Sequence, residues 1–104
     1  MISAQNLEPV RSEFADDEDF VELLEMFTDE IPIRRQRLEV AYNAQDIAEL
    51  KSLAHQLKGA GGGYGYPHLT IISARLEQAC KDSVQDEITS QYQELHQYLG
   101  RVTA

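Results

Sequence analysis

His55-Gln56-Leu57-Lys58-Gly59-Ala60-Gly61-Gly62-Gly63-Tyr64-Gly65 is the stretch on which the reading of this chain turns. It prolongs a helical pattern that starts near Asp46. At about 100° per residue, Lys58, Gly59 and Gly62 fall within about 60° of His55 on the helix surface. Ile47, Leu50, Leu57 and Tyr64 are centred roughly 150° away, on the opposite side. His55 is therefore expected to face solvent, with a cation beside it and little side-chain bulk around it. Glycine inside a helix costs about 1 kcal/mol relative to alanine, so Gly59 and Gly62 need a reason. Close approach of another surface to His55 supplies one. The layout is that of a nucleophile presented to a partner protein.

The rest of the chain reads as helices, with no convincing strand. Residues 1–15 lack clean periodicity and contain Pro9, which predicts a loosely packed N-terminal arm ahead of a helical domain over 16–104. Phe20, Leu23, Leu24, Phe27 and Ile31 recur at helical spacing after a run of aspartates suited to the positive end of a helix. Pro32 fits the first turn of a second helix, which carries Leu38, Ala41 and Tyr42 inward and ends near Asn43 to Gln45. Asp46 with Glu49 resembles a capping box opening the third helix, whose apolar stripe is Ile47, Leu50, Ala54, Leu57 and Tyr64. Gly65-Tyr66-Pro67 breaks the chain, Gly65 taking a left-handed conformation and Pro67 opening the next helix. That helix buries Leu69, Ile72, Leu76, Ala79 and Cys80. Asp82 or Ser83 caps the last one, with Val84, Ile88, Tyr92, Leu95 and Leu99 inward. Short connections between amphipathic helices make antiparallel neighbours. The predicted fold is all-α: an antiparallel up-and-down four-helix bundle with an additional N-terminal helix or arm.

The hairpin around Gly65 can be measured. His55 lies nine residues before Tyr64 and Glu77 ten residues after Pro67. At about 1.5 Å rise per residue, both stand roughly 14 Å from the turn. Glu77 thus comes level with His55, off the apolar stripe of its own helix, with Lys81 one turn further on. A carboxylate that accepts a hydrogen bond from one imidazole nitrogen fixes the tautomer and leaves the other nitrogen free to attack. The plainer reading of Glu77 is a solvated acid paired with Lys81.

His55-Gln56-Leu57-Lys58-Gly59, with Gly65 six residues beyond Gly59, resembles the motif of histidine phosphotransfer (HPt) domains. The likeness extends through Leu53-Ala54 before it and His68-Leu69, Ala74, Leu76 and Glu77 after it, and covers roughly residues 15–100. It implies a bundle whose histidine accepts a phosphoryl group from a receiver-domain aspartate, or from a kinase, and passes it to another receiver. On that resemblance His55 is the phosphoacceptor, Lys58 the phosphate-stabilising cation, and Glu77 a group that orients the imidazole. Gly59 and Gly62 clear a docking face, with Gln56 and Tyr66 at its border. The implied partners are response-regulator receiver domains and a hybrid sensor histidine kinase. No cofactor is implied on this chain, and Mg2+ is expected on the receiver. Such a protein is a carrier without turnover of its own, expected to be a monomer. Gly61 and Gly63 depart from the family pattern, where alanine, serine or asparagine is frequent, which leaves open whether the last helical turn is regular but not the chemistry.

Composition narrows the alternatives. A chain of 104 residues makes one domain with a single core and no deep cleft. The net charge of −9 argues against nucleic acid, whose binding needs cations against phosphates. No apolar run is long enough to span a bilayer. No charged leader with an apolar segment opens the chain, and the single cysteine, Cys80, cannot form an internal disulfide, so a cytoplasmic location is expected. The glycines are not a P-loop, since no Lys-Ser or Lys-Thr follows them, and they do not fit G-x-G-x-x-G. His55, His68 and His96 are scattered without metal-ligand spacing. A hydrolase using His55 as base lacks a nucleophile beside it. The remaining alternative is a helical module that binds a receiver or kinase without taking phosphate. A pure binder needs neither His55 nor Lys58.

Overall fold

Asp17 opens the helical part of the molecule: its carboxylate accepts the Asp19 amide at 3.0 Å and starts a short 3₁₀ turn over Glu18–Phe20. The turn runs directly into α1 (Val21–Asn43), followed by α2 (Ile47–Gly63), α3 (Pro67–Asp82) and α4 (Gln85–Leu99). This computed structural model describes residues 8–104; the first seven residues of the expected arm lie outside them. Each helix packs on its neighbour in sequence and α4 returns to α1, so the four close an up-and-down bundle.

The helix expected to start at Pro32 is not separate. Pro32 lies inside α1, on its exposed side, and the helix is continuous for 23 residues. Proline removes the bond to the carbonyl one turn back and costs about 3 kcal/mol in a helix interior. One buried face runs through it nonetheless: Leu24, Phe27, Ile31, Leu38 and Ala41 are all 4 % exposed or less. That burial on both sides of residue 32 holds the helix together. Leu23 and Val84, expected inward, are 47 % and 41 % exposed, whereas Leu53 and Tyr98 join the core.

Both hinges of the central hairpin follow local chemistry. Asp46 caps α2 by accepting the Glu49 amide at 3.1 Å. The helix then runs regularly through Gly63, so the glycines do not disturb its last turn. Gly65 takes φ +81°, and a β-carbon there would collide with Ser12 and Phe14. Pro67 occupies the first turn of α3, as expected. At the next junction Ser83 is the left-handed end of α3 (φ 55°), not a cap for α4, which starts after Val84 without a side-chain cap.

A two-stranded parallel pair was not legible as strand: β1 (Val10–Arg11) lies beside β2 (Val102–Thr103), Val10 opposite Val102. The described part of the arm is accordingly pinned to the bundle. Ser12 Oγ donates to the Tyr64 carbonyl at 2.6 Å, and the Glu13 amide donates to that of Gly65 at 2.8 Å. This clasp covers the α2–α3 turn, at the end of the hairpin away from α2's start.

Candidate functional site

The site begins with how closely α2 and α3 approach. A β-carbon on Gly61 would come within 2.7 Å of the Thr70 amide nitrogen and 2.9 Å of the Tyr66 carbonyl oxygen. Only glycine allows that approach without movement of backbone. Thr70 Oγ1 then donates to the Lys58 carbonyl at 2.9 Å and ties the two helices one turn beyond His55. In the sequence Gly61 stands out only as a departure from the family pattern, and Thr70 does not stand out. A threonine one turn into a helix that follows a glycine-rich partner is the signal that could have joined them.

Further along this seam Glu77 is enclosed, at 7 % exposure, rather than solvated. Three groups converge on it. His55 Nδ1 lies 2.9 Å from Glu77 Oε2, Lys58 Nζ lies 2.7 Å from Oε1, and Lys81 Nζ lies 3.9 Å from Oε2. The hydrogen bond from Lys58 holds the carboxyl below the usual carboxylate range; burial pushes the other way, and the hydrogen bond from His55 adds to the lowering. Glu77 is therefore an ionised acceptor at neutral pH.

An ionised carboxylate only accepts, so Nδ1 of His55 carries the proton it shares with Glu77. The neutral ring then has its lone pair on Nε2. That nitrogen has no partner among the described residues, and the His55 side chain is 66 % exposed. A β-carbon on Gly59, Gly62 or Gly63 would meet nothing within 4 Å, so open space adjoins the imidazole. Gln56 is exposed beside this face, with a long 3.5 Å contact to Ser52 Oγ. The arrangement is a nucleophilic nitrogen aimed outward, with the rest of the ring fixed from behind.

Tyr66 does not border this face. It is 1 % exposed, its hydroxyl donates to the Thr103 carbonyl at 2.5 Å, and burial raises its pKa. The C-terminal strand covers it, which spacing around the turn could not reveal. The other histidines do not gather near His55. His68 packs edge-on against Tyr98, and His96 faces Glu39 across the α1–α4 seam. Among the described residues no group of three or more His, Cys, Asp or Glu side chains could hold a metal. No described helix is long and apolar enough to cross a membrane.

The family model described as Hpt domain matches residues 22–104. The chain belongs to the Hpt-domain family. No curated protein and no solved structure gives a significant match. Membership assigns a general role: Hpt domains are phosphocarrier modules of phosphorelays that interact with receiver domains and kinases. The four-helix architecture agrees with it, and the matched segment holds the whole Hpt hairpin from Asp46 to Asp82.

Proposed function

We propose that His55 accepts a phosphoryl group on Nε2 from a receiver-domain aspartate, or from a kinase, and relays it to a second receiver domain. The observation that carries this reading is the free Nε2 on an open face, with Nδ1 held by the enclosed Glu77. The Nε2 lone pair forms the N–P bond as the acyl-phosphate P–O bond breaks, and the aspartate leaves as carboxylate. No proton has to be removed from the attacking nitrogen. The ring instead becomes a cation, since both nitrogens are then substituted. Glu77, 2.9 Å from Nδ1, stabilises that charge as it develops, much as a buried carboxylate stabilises an imidazolium in hydrolases.

Lys58 is anchored on Glu77 in this state, and an ammonium has three donors. One can turn to a phosphoryl oxygen while Glu77 keeps another. Phosphoryl transfer requires mainly alignment and charge stabilisation, and these residues supply both. Mg2+ belongs to the receiver in this scheme, and the chain works as a monomeric cytoplasmic carrier without turnover of its own. A module that only bound partners would leave the His55–Glu77–Lys58 arrangement without a task. The test is incubation with a panel of receiver domains carrying labelled phosphate. Label should move to this chain in an acid-labile, base-stable form. Label that survives acid would place the phosphate on another side chain and sink the assignment.

A further inference from the structure

The chain has nine basic residues against eighteen acidic ones, and its three lysines are Lys51, Lys58 and Lys81. All three stand around His55. Lys51 lies one turn before it and Lys58 one turn after, both within about 60° of it and on the side facing α3. Lys81 lies one turn beyond Glu77, its side chain 51 % exposed and its ammonium 3.9 Å from the carboxylate. Lys51 comes close enough to α3 for its charge to oppose the burial-driven rise in the pKa of the Cys80 thiol. Lys51 is exposed and makes no ion pair among the described residues.

Acids are nearly absent from this face. The only acid of α2 is Glu49, about 120° round the helix from His55. α3 contributes Glu77, already enclosed, and Asp82, which accepts from Gln78 at 3.0 Å. Three ammoniums thus face one carboxylate. Nine of the eighteen acids fall between residues 13 and 30, a stretch with no lysine or arginine; of these Glu30 lines a cleft with Gln56 on the α1 side of His55, where Arg34 and Arg37 line it too. Charges further apart than about 8 Å are largely screened at physiological salt. A partner at His55 therefore meets the local cations, not the total of −9.

We infer that Lys51 and Lys81, together with Lys58, form a cationic collar that draws the anionic, phosphate-bearing pocket of a receiver domain onto His55. This rests on the reading of His55 as phosphoacceptor, and adds what recruits the donor. The two outer lysines govern encounter with the partner. Opposite charge of this kind raises association rates by roughly tenfold or more at low salt and fades as salt rises.

The test compares wild type, Lys51→Gln, Lys81→Gln and the double variant. Each is labelled by the most active phosphorylated receiver domain of a panel, and separately by phosphoramidate, a small donor that needs no docking. The measured quantity is the ratio of receiver-driven to phosphoramidate-driven rate, at low and at high salt. For the double variant the ratio should fall roughly fivefold to tenfold at low salt and return to the wild-type value at high salt. A ratio equal to wild type at both salts overturns the collar. So does a ratio reduced equally at both, which would mean damage to the site. Phosphoramidate labelling of wild type with no receiver active also overturns the collar, while leaving His55 as acceptor. Failure of both donors on wild type overturns the phosphoacceptor reading itself.

Discussion

Two histidines of this molecule each stand beside a carboxylate and a cation, and they are built for opposite purposes. At the α2–α3 seam His55 gives the protein only Nδ1, and its carboxylate partner Glu77 is enclosed, with 9 % of the side chain exposed. At the α1–α4 seam His96 gives both nitrogens. Its Nε2 lies 3.4 Å from Glu39 Oε2, and its Nδ1 lies 3.3 Å from Arg35 Nη2. A guanidinium only donates and a carboxylate only accepts, so neutral His96 carries its proton on Nε2 and points its lone pair at Arg35. Arg35 Nε also donates to the His96 carbonyl at 3.1 Å. Glu39 is half in solvent, at 53 % exposure. A histidine, a glutamate and a cation make a tie between helices in one place and a presented nucleophile in the other. What differs is which atom is left without a partner.

The largest expected effect separates the two histidines. His55→Gln should abolish acceptance of phosphate and change stability by no more than about 0.5 kcal/mol, since the side chain is exposed and Lys58 and Lys81 still pair with Glu77. His96→Gln should do the reverse: transfer is retained, and the fold loses about 1 kcal/mol with the Arg35 hydrogen bond and the Glu39 contact. Label tracking and urea unfolding of both variants read the pair of outcomes. Label persisting on His55→Gln, or disappearing from His96→Gln, would break the comparison.

Glu77 is the next largest. Partners that orient a metal-bound imidazole from behind matter by about 10–100-fold in activity, and on the same physics Glu77→Ala should slow transfer by roughly that amount. Glu39→Gln, the counterpart at the other seam, should leave the rate unchanged. The two carboxylates also differ in what they add to stability. The folded-state pKa of Glu77 is depressed, chiefly by Lys58 and against burial. Such a group adds stability above its unfolded pKa and loses it as the pH falls through the folded one. Wild type should therefore exceed Glu77→Gln in urea midpoint near about pH 7, and the two should converge towards about pH 2. A difference that grows on acidification would contradict the ion-paired carboxylate.

Lys58 should matter somewhat less. Its ammonium is shared with Glu77 at 2.7 Å, so only part of its charge is available to a phosphoryl oxygen. A charged hydrogen bond made mainly in the transition state is worth about 1.5–3 kcal/mol at most, and sharing places Lys58→Ala nearer a tenfold loss. Stopped-flow transfer from a receiver would show it. Kinetics indistinguishable from wild type would remove Lys58 from the chemistry and leave it a holder of Glu77.

The contrast between the seams also explains what could be read in advance. His55, Lys58 and the level of Glu77 follow from counting along two helices from one turn, because a helix has a fixed rise. The enclosure of Glu77 does not follow from counting. It depends on Gly61 admitting the Thr70 backbone, a contact between residues nine apart in sequence but on different helices. The burial of Tyr66 depends on Thr103, 37 residues away, and the β1–β2 pair joins the two ends of the described chain. Two-residue strands carry no periodicity for a pattern to reveal. Pro32 misled for a different reason: local preference marked a boundary, and burial of Ile31 and Leu38 on either side overrode it. The His96 tie stayed hidden because it links α1 to α4, 61 residues apart at Arg35.

The smallest effects lie with the glycines, and they sharpen the comparison within α2 itself. Gly61 and Gly62 are neighbours on one regular helix, yet one faces the seam and the other faces open space. At Gly62 a methyl group meets nothing within 4 Å. Gly62→Ala should therefore stabilise the fold by up to about 1 kcal/mol through helix propensity and a less flexible unfolded chain. At Gly61 the same methyl would stand 2.7 Å from a backbone nitrogen, which cannot turn aside as a side chain can. Gly61→Ala should cost about 1–3 kcal/mol, the usual range for overpacking, and should slow transfer too, because parting the helices withdraws Glu77 from His55. A bulkier Gly62→Gln should fold well and still take phosphate from phosphoramidate, but should impede a receiver domain. Unfolding midpoints and the two donors read all three variants. If Gly61→Ala were as stable as wild type and transferred as fast, the close seam would not be what holds the carboxylate behind the imidazole. If Gly62→Gln accepted phosphate from a receiver at the wild-type rate, the bare face beside His55 would not be where partners dock.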